Sequence, residues 1–395
     1  MRILLINDYG TPTGGAEISF LSLRDGLRRR GHDARLFTSS ARPGLQNYLS
    51  DYICLGTTSS FRTMLQAANP WAFLKLHRIL KEFKPHVVHV KIFLTQLSPL
   101  ILPLLKEVPA LYSVAWYRPI CPLGTKLLSD GTPCKIQAGI GCYQNRCLPL
   151  YDWFPLIFQM KLWQRWHHTF KLIAADSEAI RQSLMAGGIE VGEVVYFGVP
   201  VRPMRPPLLS PPTVVFAGRL VQEKGVDVLL HAFSKVVRSI PEAKLLIAGD
   251  GPERKYLENL ISNLEINSGV TLLGHLPRSE MEARFDIAWV QAVPSRWAEP
   301  FGLVAAEAMM RGTAVVASSV GGLTEIVRNG QTGFLVPPED GDTLAEALLN
   351  LFQNRELTEE MGRTGREIAL RKFSEEVSLK KFINLYQEIL SRRKE

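Results

Sequence analysis

At 395 residues the chain is long enough for two domains rather than one. Its 46% hydrophobic and 21% charged residues are those of an ordinary soluble globular protein. The net charge is +8, and the basic excess lies wholly in the first half: residues 1–200 hold 22 Lys and Arg against 13 Asp and Glu, residues 201–395 hold 24 against 25. A basic half suits an acidic acceptor or a membrane surface, and nothing in the chain resembles a nucleic-acid module. Arg2–Asn7 is a short apolar run that soon meets Asp8, not the long hydrophobic core of a signal peptide. No run reaches the roughly 20 apolar residues of a spanning helix. Leu97–Leu105 comes nearest and holds Pro99 and Pro103. A cytoplasmic address is expected.

Arg2–Asn7 reads as a buried strand, and the loop Asp8–Gly15 carries Gly10, Gly14 and Gly15. A helix follows over Ala16–Arg30, with Ile18, Leu21, Leu23 and Leu27 apolar and Gly31 as its stop. Strand, glycine-rich loop and helix open a nucleotide-binding type of unit, although the spacing is not G-x-G-x-x-G. Asp33–Phe37 is a second strand. Phe61–Phe83 is a long amphipathic stretch interrupted by Pro70. His86–Val90 is a strand, Leu94–Lys106 is helical, and Ala110–Val114 is a strand. Leu172–Ala175 and Val194–Phe197 are the last strands of this half, with Ser177 capping a helix over Glu178–Met185 between them. The alternation indicates a parallel sheet with covering helices, whose ligand groups gather at the carboxyl ends of the strands.

Two stretches interrupt that alternation. Residues 121–147 hold Cys121, Cys134, Cys142 and Cys147 among glycines, with little apolar material for a core. Four cysteines so close could clamp the loop with one structural zinc ion or two disulfides, or remain unlinked thiols. A cytosolic address argues against the disulfides. Tyr151–Ile173 interleaves Trp153, Phe154, Ile157, Phe158, Leu162, Trp163 and Trp166 with Lys161, Arg165 and Lys171. Such a helix either lies at a membrane interface or packs on the sheet with its charges outward.

Pro200, Pro203, Pro206, Pro207, Pro211 and Pro212 then crowd a stretch that no helix or central strand tolerates. Residues 201–212 are therefore the linker. Thr213–Ala217 starts the second half as a strand, Gly218-Arg219-Leu220 follows as its carboxyl-end loop, and Lys224-Gly225 opens a helix over Val226–Arg238. Arg219 and Lys224 share that loop and can converge on a diphosphate. Ala243–Ala248 is a strand leading to the turn Gly249-Asp250-Gly251-Pro252. Val270–Leu273 leads to Gly274-His275-Leu276-Pro277. Asp286–Pro294 and Ala314–Ala317 are further strands. The next helix starts from Ser318–Gly322 with Glu325, and the last runs from Ser374 to Arg392.

Between the strand over Asp286–Pro294 and the helical composition from Phe301 onward lies the corner Ser295–Gly302. Such corners bind anions, because the first helical turn has unpaired N–H groups and a positive dipole end. Gly302 lets backbone approach a ligand. Glu299 precedes the helix, and Glu307 is expected about two turns inside it, roughly 9 Å along the axis. A diphosphate on the N–H groups between them would leave each carboxylate to accept hydrogen bonds from hydroxyls.

Glu299 and Glu307 within EPFGLVAAE, Phe216-Ala217-Gly218-Arg219-Leu220, Glu223-Lys224-Gly225, Gly249-Asp250-Gly251-Pro252 and Gly321-Gly322 with Glu325 together resemble the signature of the retaining GT-B glycosyltransferases of the family 4 type. The likeness is dense from Thr213 to Pro338 and looser before it. It implies an α/β fold of two Rossmann-like domains, an acceptor-side one over residues 1–200 and a nucleotide-sugar donor-binding one over 213–373, with parallel sheets facing a central cleft. A final helix, 374–395, would cross back onto the first domain. It implies transfer of a sugar, with retention, from a UDP- or GDP-sugar to a glycan or lipid-linked acceptor, without a catalytic metal. The basic first half and the aromatic–basic segment add, to the cytoplasmic address expected above, a peripheral seat on the inner membrane face. Arg219, Lys224 and Glu299 would be catalytic. Gly218, Gly249, Phe301, Gly302 and Leu303 would line the donor, Leu276 would approach the base and Glu307 the ribose. Gly14-Gly15-Ala16-Glu17 resembles the family's phosphate-facing loop, which implies that Gly15 meets the phosphates.

One departure bears on turnover. Where many relatives end the strand after Leu111 in His-Asp, this chain has Ala115 and Trp116, and so lacks an imidazole near the reacting sugar. In the family's retaining mechanism the leaving phosphate oxygen takes the acceptor proton, so no protein base is strictly required. A non-catalytic nucleotide-sugar-binding scaffold and a nucleotide-sugar epimerase of the same fold remain as alternatives.

Overall fold

The computed structural model describes residues 1–12, 14–41, 48–59 and 62–392. The chain divides into two compact units. Unit 1 is Met1–Gly198 with Glu375–Glu395, and unit 2 is Val199–Ser374.

Unit 1 is built on seven strands: β1 (Arg2–Ile6), β2 (Asp33–Ser39), β3 (Tyr52–Cys54), β4 (Val87–Val90), β5 (Ala110–Val114), β6 (Leu172–Ala175) and β7 (Glu193–Val194). All pair in parallel, in the order β3-β2-β1-β4-β5-β6-β7. Helices cover both faces, so β4 and β5 are buried throughout and read as apolar runs rather than alternating ones. The strand order reverses direction at β1, and ligand sites form beyond the carboxyl ends at such a point. Asp8 leaves β1 there. Its buried carboxylate accepts the N–H groups of Thr95, Gln96 and Leu97 at 2.7, 2.9 and 2.9 Å, which fixes the loop after β4.

The helix Glu375–Ser391 belongs to this unit. Its Leu379, Phe382, Leu385, Tyr386 and Ile389 share one core with Ile3, Leu5, Phe20 and Leu27. Buried His89 of β4 ties it in, contacting the Tyr386 hydroxyl at 2.7 Å and the Ser113 hydroxyl at 2.8 Å. Burial holds this imidazole well below its ordinary pKa, so it stays neutral in the fold. The unfolded chain takes up a proton there below about pH 6.5 and the native one does not, so stability drops as pH falls. In His89→Gln that dependence disappears. The stability gap to wild type should therefore shrink by up to about 1.4 kcal/mol per pH unit below about pH 6. A gap that stays constant in urea melts from about pH 8 to about pH 5 would show the imidazole is not kept neutral.

Unit 2 carries β8 (Thr213–Ala217), β9 (Lys244–Ala248), β10 (Val270–Gly274), β11 (Val290–Val293), β12 (Ala314–Ser318) and β13 (Gly333–Val336). They are again parallel, in the order β10-β9-β8-β11-β12-β13. Val214, Phe216, Leu229, Phe233, Leu245 and Ile247 form the centre of its core. The reversal falls between β8 and β11, so the carboxyl ends of these two strands carry the candidate site.

Several elements differ from the sequence reading. The stretch over Phe61–Phe83 is two helices, Arg62–Ala67 and Pro70–Phe83, and Phe61 itself lies outside the described residues. Asn69 caps the second, accepting the Ala72 N–H at 3.0 Å, and Pro70 occupies the first turn, where a missing N–H costs nothing. Leu94–Lys106 is not an α-helix. Its Pro99–Leu105 part winds as 3-10 turns because Pro99 and Pro103 have no N–H to give. The strand read over Asp286–Pro294 is only Val290–Val293, since Phe285–Ile287 makes a 3-10 turn. β3 and β13 are short edge strands that were not anticipated, and β7 has two residues instead of the four read over Val194–Phe197.

Candidate functional site

The loop after β8 reaches the loop after β11 through one glycine. Gly225 has φ +65°, and a Cβ there would sit 2.1 Å from the Pro294 carbonyl oxygen. This close approach delivers Lys224, whose Nζ lies 2.6 Å from Glu299 Oε1. The Ser295 hydroxyl donates to the same oxygen at 2.6 Å. Glu299 is buried and Lys224 mostly so. Arg296 locks the two loops together. It grips Asp227 with two hydrogen bonds of 2.7 Å and donates to the Gln222 carbonyl at 2.9 Å. It also reaches Glu339 at 2.8 Å. Bidentate guanidinium–carboxylate pairs of this kind fix geometry as well as charge.

The helix beyond this corner is Leu303–Met310, with Gly302 at φ +104° as its cap. It starts two residues later than expected, because Phe301 turns its side chain into the core against Phe373, ring centroids 5.7 Å apart. Phe301 can therefore offer a donor its backbone only. The first i→i−4 bond runs from Ala306 to Gly302 at 3.2 Å, so the N–H groups of Leu303 and Val304 precede the helical ladder. The corner rests on Gly321-Gly322, where a Cβ on Gly322 would strike the Phe301 backbone at 2.6 Å.

Glu307 is the fifth residue of this helix, about 6 Å along it rather than 9. Its carboxylate accepts from Arg278 at 2.6 Å. Burial pushes its pKa up, and Arg278 pulls it back. Arg278 also pairs with Glu282, which meets Arg202 at 3.0 Å. Arg219 is different: 73% of its side chain is exposed, with a 3.7 Å contact to Glu223. Gly218 and Gly249 sit at the strand ends, donating to the Ala248 and Gly274 carbonyls at 3.0 and 2.8 Å. Leu276 packs on Val215, Ala248, Phe285 and Ala288 beside them. The triplet Asp340-Gly341-Asp342 is a helix cap. Asp340 accepts the N–H groups of Asp342 and Thr343, and Asp342 pairs with Lys235.

Gly15 lies in unit 1, at the start of the helix Gly15–Arg29. It borders a cavity of about 540 Å³ whose walls include Tyr9, Glu17, Arg62, Ala115, Trp116 and Arg118. Burial pushes the Glu17 carboxyl up, and Asp8 nearby adds to the shift. The disulfide reading of the cysteine segment is corrected. All five cysteines are free thiols, and no metal-ligand group of three or more His, Cys, Asp or Glu forms among the described residues. Leu127 and Pro133 pair as a small antiparallel bridge, and Ile140–Gln144 is a helix. Within this scaffold Cys134 and Cys147 turn their sulfurs to the carbonyls of Ile136 and Asn145, while Cys121 is buried.

Two family models tile the chain. One, described as Glycosyltransferase Family 4, matches residues 13–202, and the other, Glycosyl transferases group 1, matches residues 205–368. The chain belongs to the GT-B glycosyltransferases of the family 4 type. Sucrose-phosphate synthase from Thermosynechococcus elongatus is similar in fold, with TM-score 0.77 at 22% identity over 99% of this chain and 100% of that one. Anabaena HepE in complex with UDP gives TM-score 0.71 at 20% identity over 98% and 100%. An exopolysaccharide phosphotransferase of Streptomyces coelicolor is 38% identical over 186 residues, 47% of this chain and 19% of that protein. The matches span less than half the length of the curated relatives.

In this GT-B chain the structure gathers Lys224, Glu299, Gly302 and Leu303 at one corner. It holds Glu307 one helical turn away on Arg278 and leaves Arg219 extended. Sequence reasoning missed Ser295, Arg296 and Arg278. Ser295 had a signal, four residues before Glu299 at a strand end. Arg278 follows Pro277 at a helix start, where its partner depends on a residue 29 positions on.

Proposed function

We propose that this GT-B glycosyltransferase moves a sugar from a nucleotide-diphosphate donor to an acceptor hydroxyl with retention of configuration and without a catalytic metal. The observation that carries the reading is the corner where Lys224 rests on Glu299 ahead of the N–H groups of Leu303 and Val304. A diphosphate there meets one fixed cation, two backbone donors and the exposed guanidinium of Arg219. These stabilise the negative charge that grows on the leaving group as the anomeric carbon becomes oxocarbenium-like. Glu299 then holds sugar hydroxyls and Glu307 the ribose, with Arg278 sharing the latter. Gly218, Gly249 and Leu276 border the base and phosphates through backbone. Both bases occur among similar proteins: HepE carries UDP in its crystal structure, and a Mycobacterium tuberculosis mannosyltransferase 35% identical over 162 residues is GDP-mannose-dependent.

The test is a thermal-shift screen of UDP, GDP and their sugars, since a ligand that binds only the native state raises the melting point. Turnover with the best donor in the presence of EDTA follows. No shift with any nucleotide would remove the reading. Binding without product would support a scaffold, a reading favoured by Ala115 and Trp116 in place of His-Asp.

The outer face of the helix Leu150–Trp166 bears on the acceptor. No helix among the described residues is long and apolar enough to cross a membrane. Leu156, Met160 and Trp163 face the core as expected of a packed helix, yet Tyr151, Phe154 and Phe158 are exposed above Lys161 and Arg165. This stripe fits a peripheral seat on an anionic surface. The protein should pellet with phosphatidylserine vesicles at low salt and release as salt rises, and Phe154→Ser with Phe158→Ser should abolish pelleting. Wild type left in the supernatant at low salt would remove the idea.

A further inference from the structure

The unit-1 cavity contains a buried charge with no ion-pair partner among the described residues. The chain leaves β5 through Ala115 and Trp116 and brings Arg118 under the cavity, with 5% of the residue exposed. Its Nη2 donates to Gln66 Oε1 at 2.9 Å and Gln159 Oε1 at 3.4 Å, both neutral. Gln159 is committed elsewhere as well, donating to the Gln66 and Leu94 carbonyls. The Arg118 Nε has no partner. No carboxylate lies within ion-pair distance of this guanidinium among the described residues. Burying an unpaired charge costs several kcal/mol, so native proteins rarely keep one without use.

Arg62 lies on the same wall, on the helix Arg62–Ala67, also outside any ion pair among the described residues. Burial lowers Arg118 to about 10, Cys121, the nearby Asp8 carboxylate and Tyr9 pull it back up, and Arg62 adds a small repulsion, so the guanidinium stays charged at neutral pH. The acids of the cavity do not neutralise them. Asp152 accepts the Thr63 hydroxyl at 2.8 Å. Glu17 is buried and pushed toward its neutral form. The volume, about 540 Å³, is that of a small-molecule site.

We infer that this cavity takes the acceptor and selects one with an anionic oxygen group, a carboxylate or a phosphate, which sits on Arg118 and Arg62 while Glu17 meets hydroxyls. Guanidinium groups match such planar or tetrahedral oxyanions with paired hydrogen bonds. The inference rests on the transferase reading for the word acceptor, but the anion site stands on the cavity alone. An acidic sugar and a diphosphate-linked lipid headgroup both carry this chemistry.

The test is titration of the full chain, held at saturating UDP to occupy unit 2, with methyl glucuronide, inorganic pyrophosphate and neutral methyl glucoside. At least one anionic probe should bind more tightly than methyl glucoside. Arg118→Gln should weaken that probe by about 10- to 100-fold. Arg62→Gln, at an exposed position, should weaken it by about two- to fivefold. Neither change should alter methyl glucoside binding. Preference for glucuronide assigns an acidic sugar, and preference for pyrophosphate assigns a lipid-linked diphosphate. Should Arg118→Gln not fold, Arg62→Gln decides. Equal binding of all three probes, or an anionic advantage that survives both substitutions, overturns the inference. UDP binding in the same cell separates the two readings: UDP bound without anionic preference defeats this inference alone, whereas no UDP binding defeats the transferase reading.

Discussion

Lys224→Ala is expected to lower kcat by about 10²- to 10³-fold with the best nucleotide-sugar, the loss typical of removing one preorganised donor to a developing oxyanion. KM should change far less, because the charge it meets grows only as the glycosidic bond breaks. In the proposed mechanism this lysine, rather than Arg219, is the principal cation. Lys224 is held at 2.6 Å by a buried carboxylate and needs no reorganisation, whereas Arg219 is 73% exposed and must lose side-chain freedom to act. Arg219→Ala should therefore cost less than Lys224→Ala. A confounding loss of stability is built in, since removing Lys224 leaves Glu299 buried on Ser295 alone. The double variant Lys224→Ala with Glu299→Gln removes that unpaired charge. Folding should recover in it and turnover should not. Full kcat in folded Lys224→Ala would mean the leaving group is stabilised elsewhere.

The fold could be read from the sequence because its strands are buried on both faces. Continuous runs such as Leu-Leu-Ile and Val-Val-Phe have few other uses between helical repeats. The edges could not: β3, β7 and β13 have two to four residues each, too few for a period. The membership of the helix Glu375–Ser391 in unit 1 was implied by resemblance alone, since the His89–Tyr386 contact joins positions 297 residues apart. At the candidate site, residues tied to a corner of the backbone were legible: Gly302, Glu299 and Lys224 each sit where a strand ends or a helix begins. What was not legible is pairing. Nothing in the sequence joins Lys224 to Glu299 or Arg278 to Glu307, because those partners are set by which loops meet beyond the sheet. The cysteines taught the opposite lesson. Their spacing left a zinc clamp, disulfides and unlinked thiols open, and the structure holds free thiols on a small hairpin and a helix.

Asp176→Asn is expected to cost unit 1 about 3 to 5 kcal/mol, the penalty for stranding one charge of a buried pair. Asp176 leaves β6 and Lys91 leaves β4, on either side of β5, and they meet at 2.9 Å with side-chain exposures of 1% and 4%. The lysine also lies over the Phe197 ring, 4.3 Å from its centroid. Burial pushes the Asp176 carboxyl up to about 6, and the attraction of Lys91 keeps it from rising further. The pair therefore straddles the strand end from which Ala115, Trp116 and Arg118 enter the cavity. Asn at 176 keeps the shape and loses the charge, so buried Lys91 is left without its ion-pair partner. Hydrogen exchange of the β4–β6 amides measures this within unit 1 and is insensitive to unit 2. Lys91→Met with Asp176→Leu should restore most of the protection, because an apolar pair of similar volume has no charge to desolvate. A loss under about 1 kcal/mol in Asp176→Asn would place the pair among the weak surface bridges and deny it the role of fixing this end of the sheet.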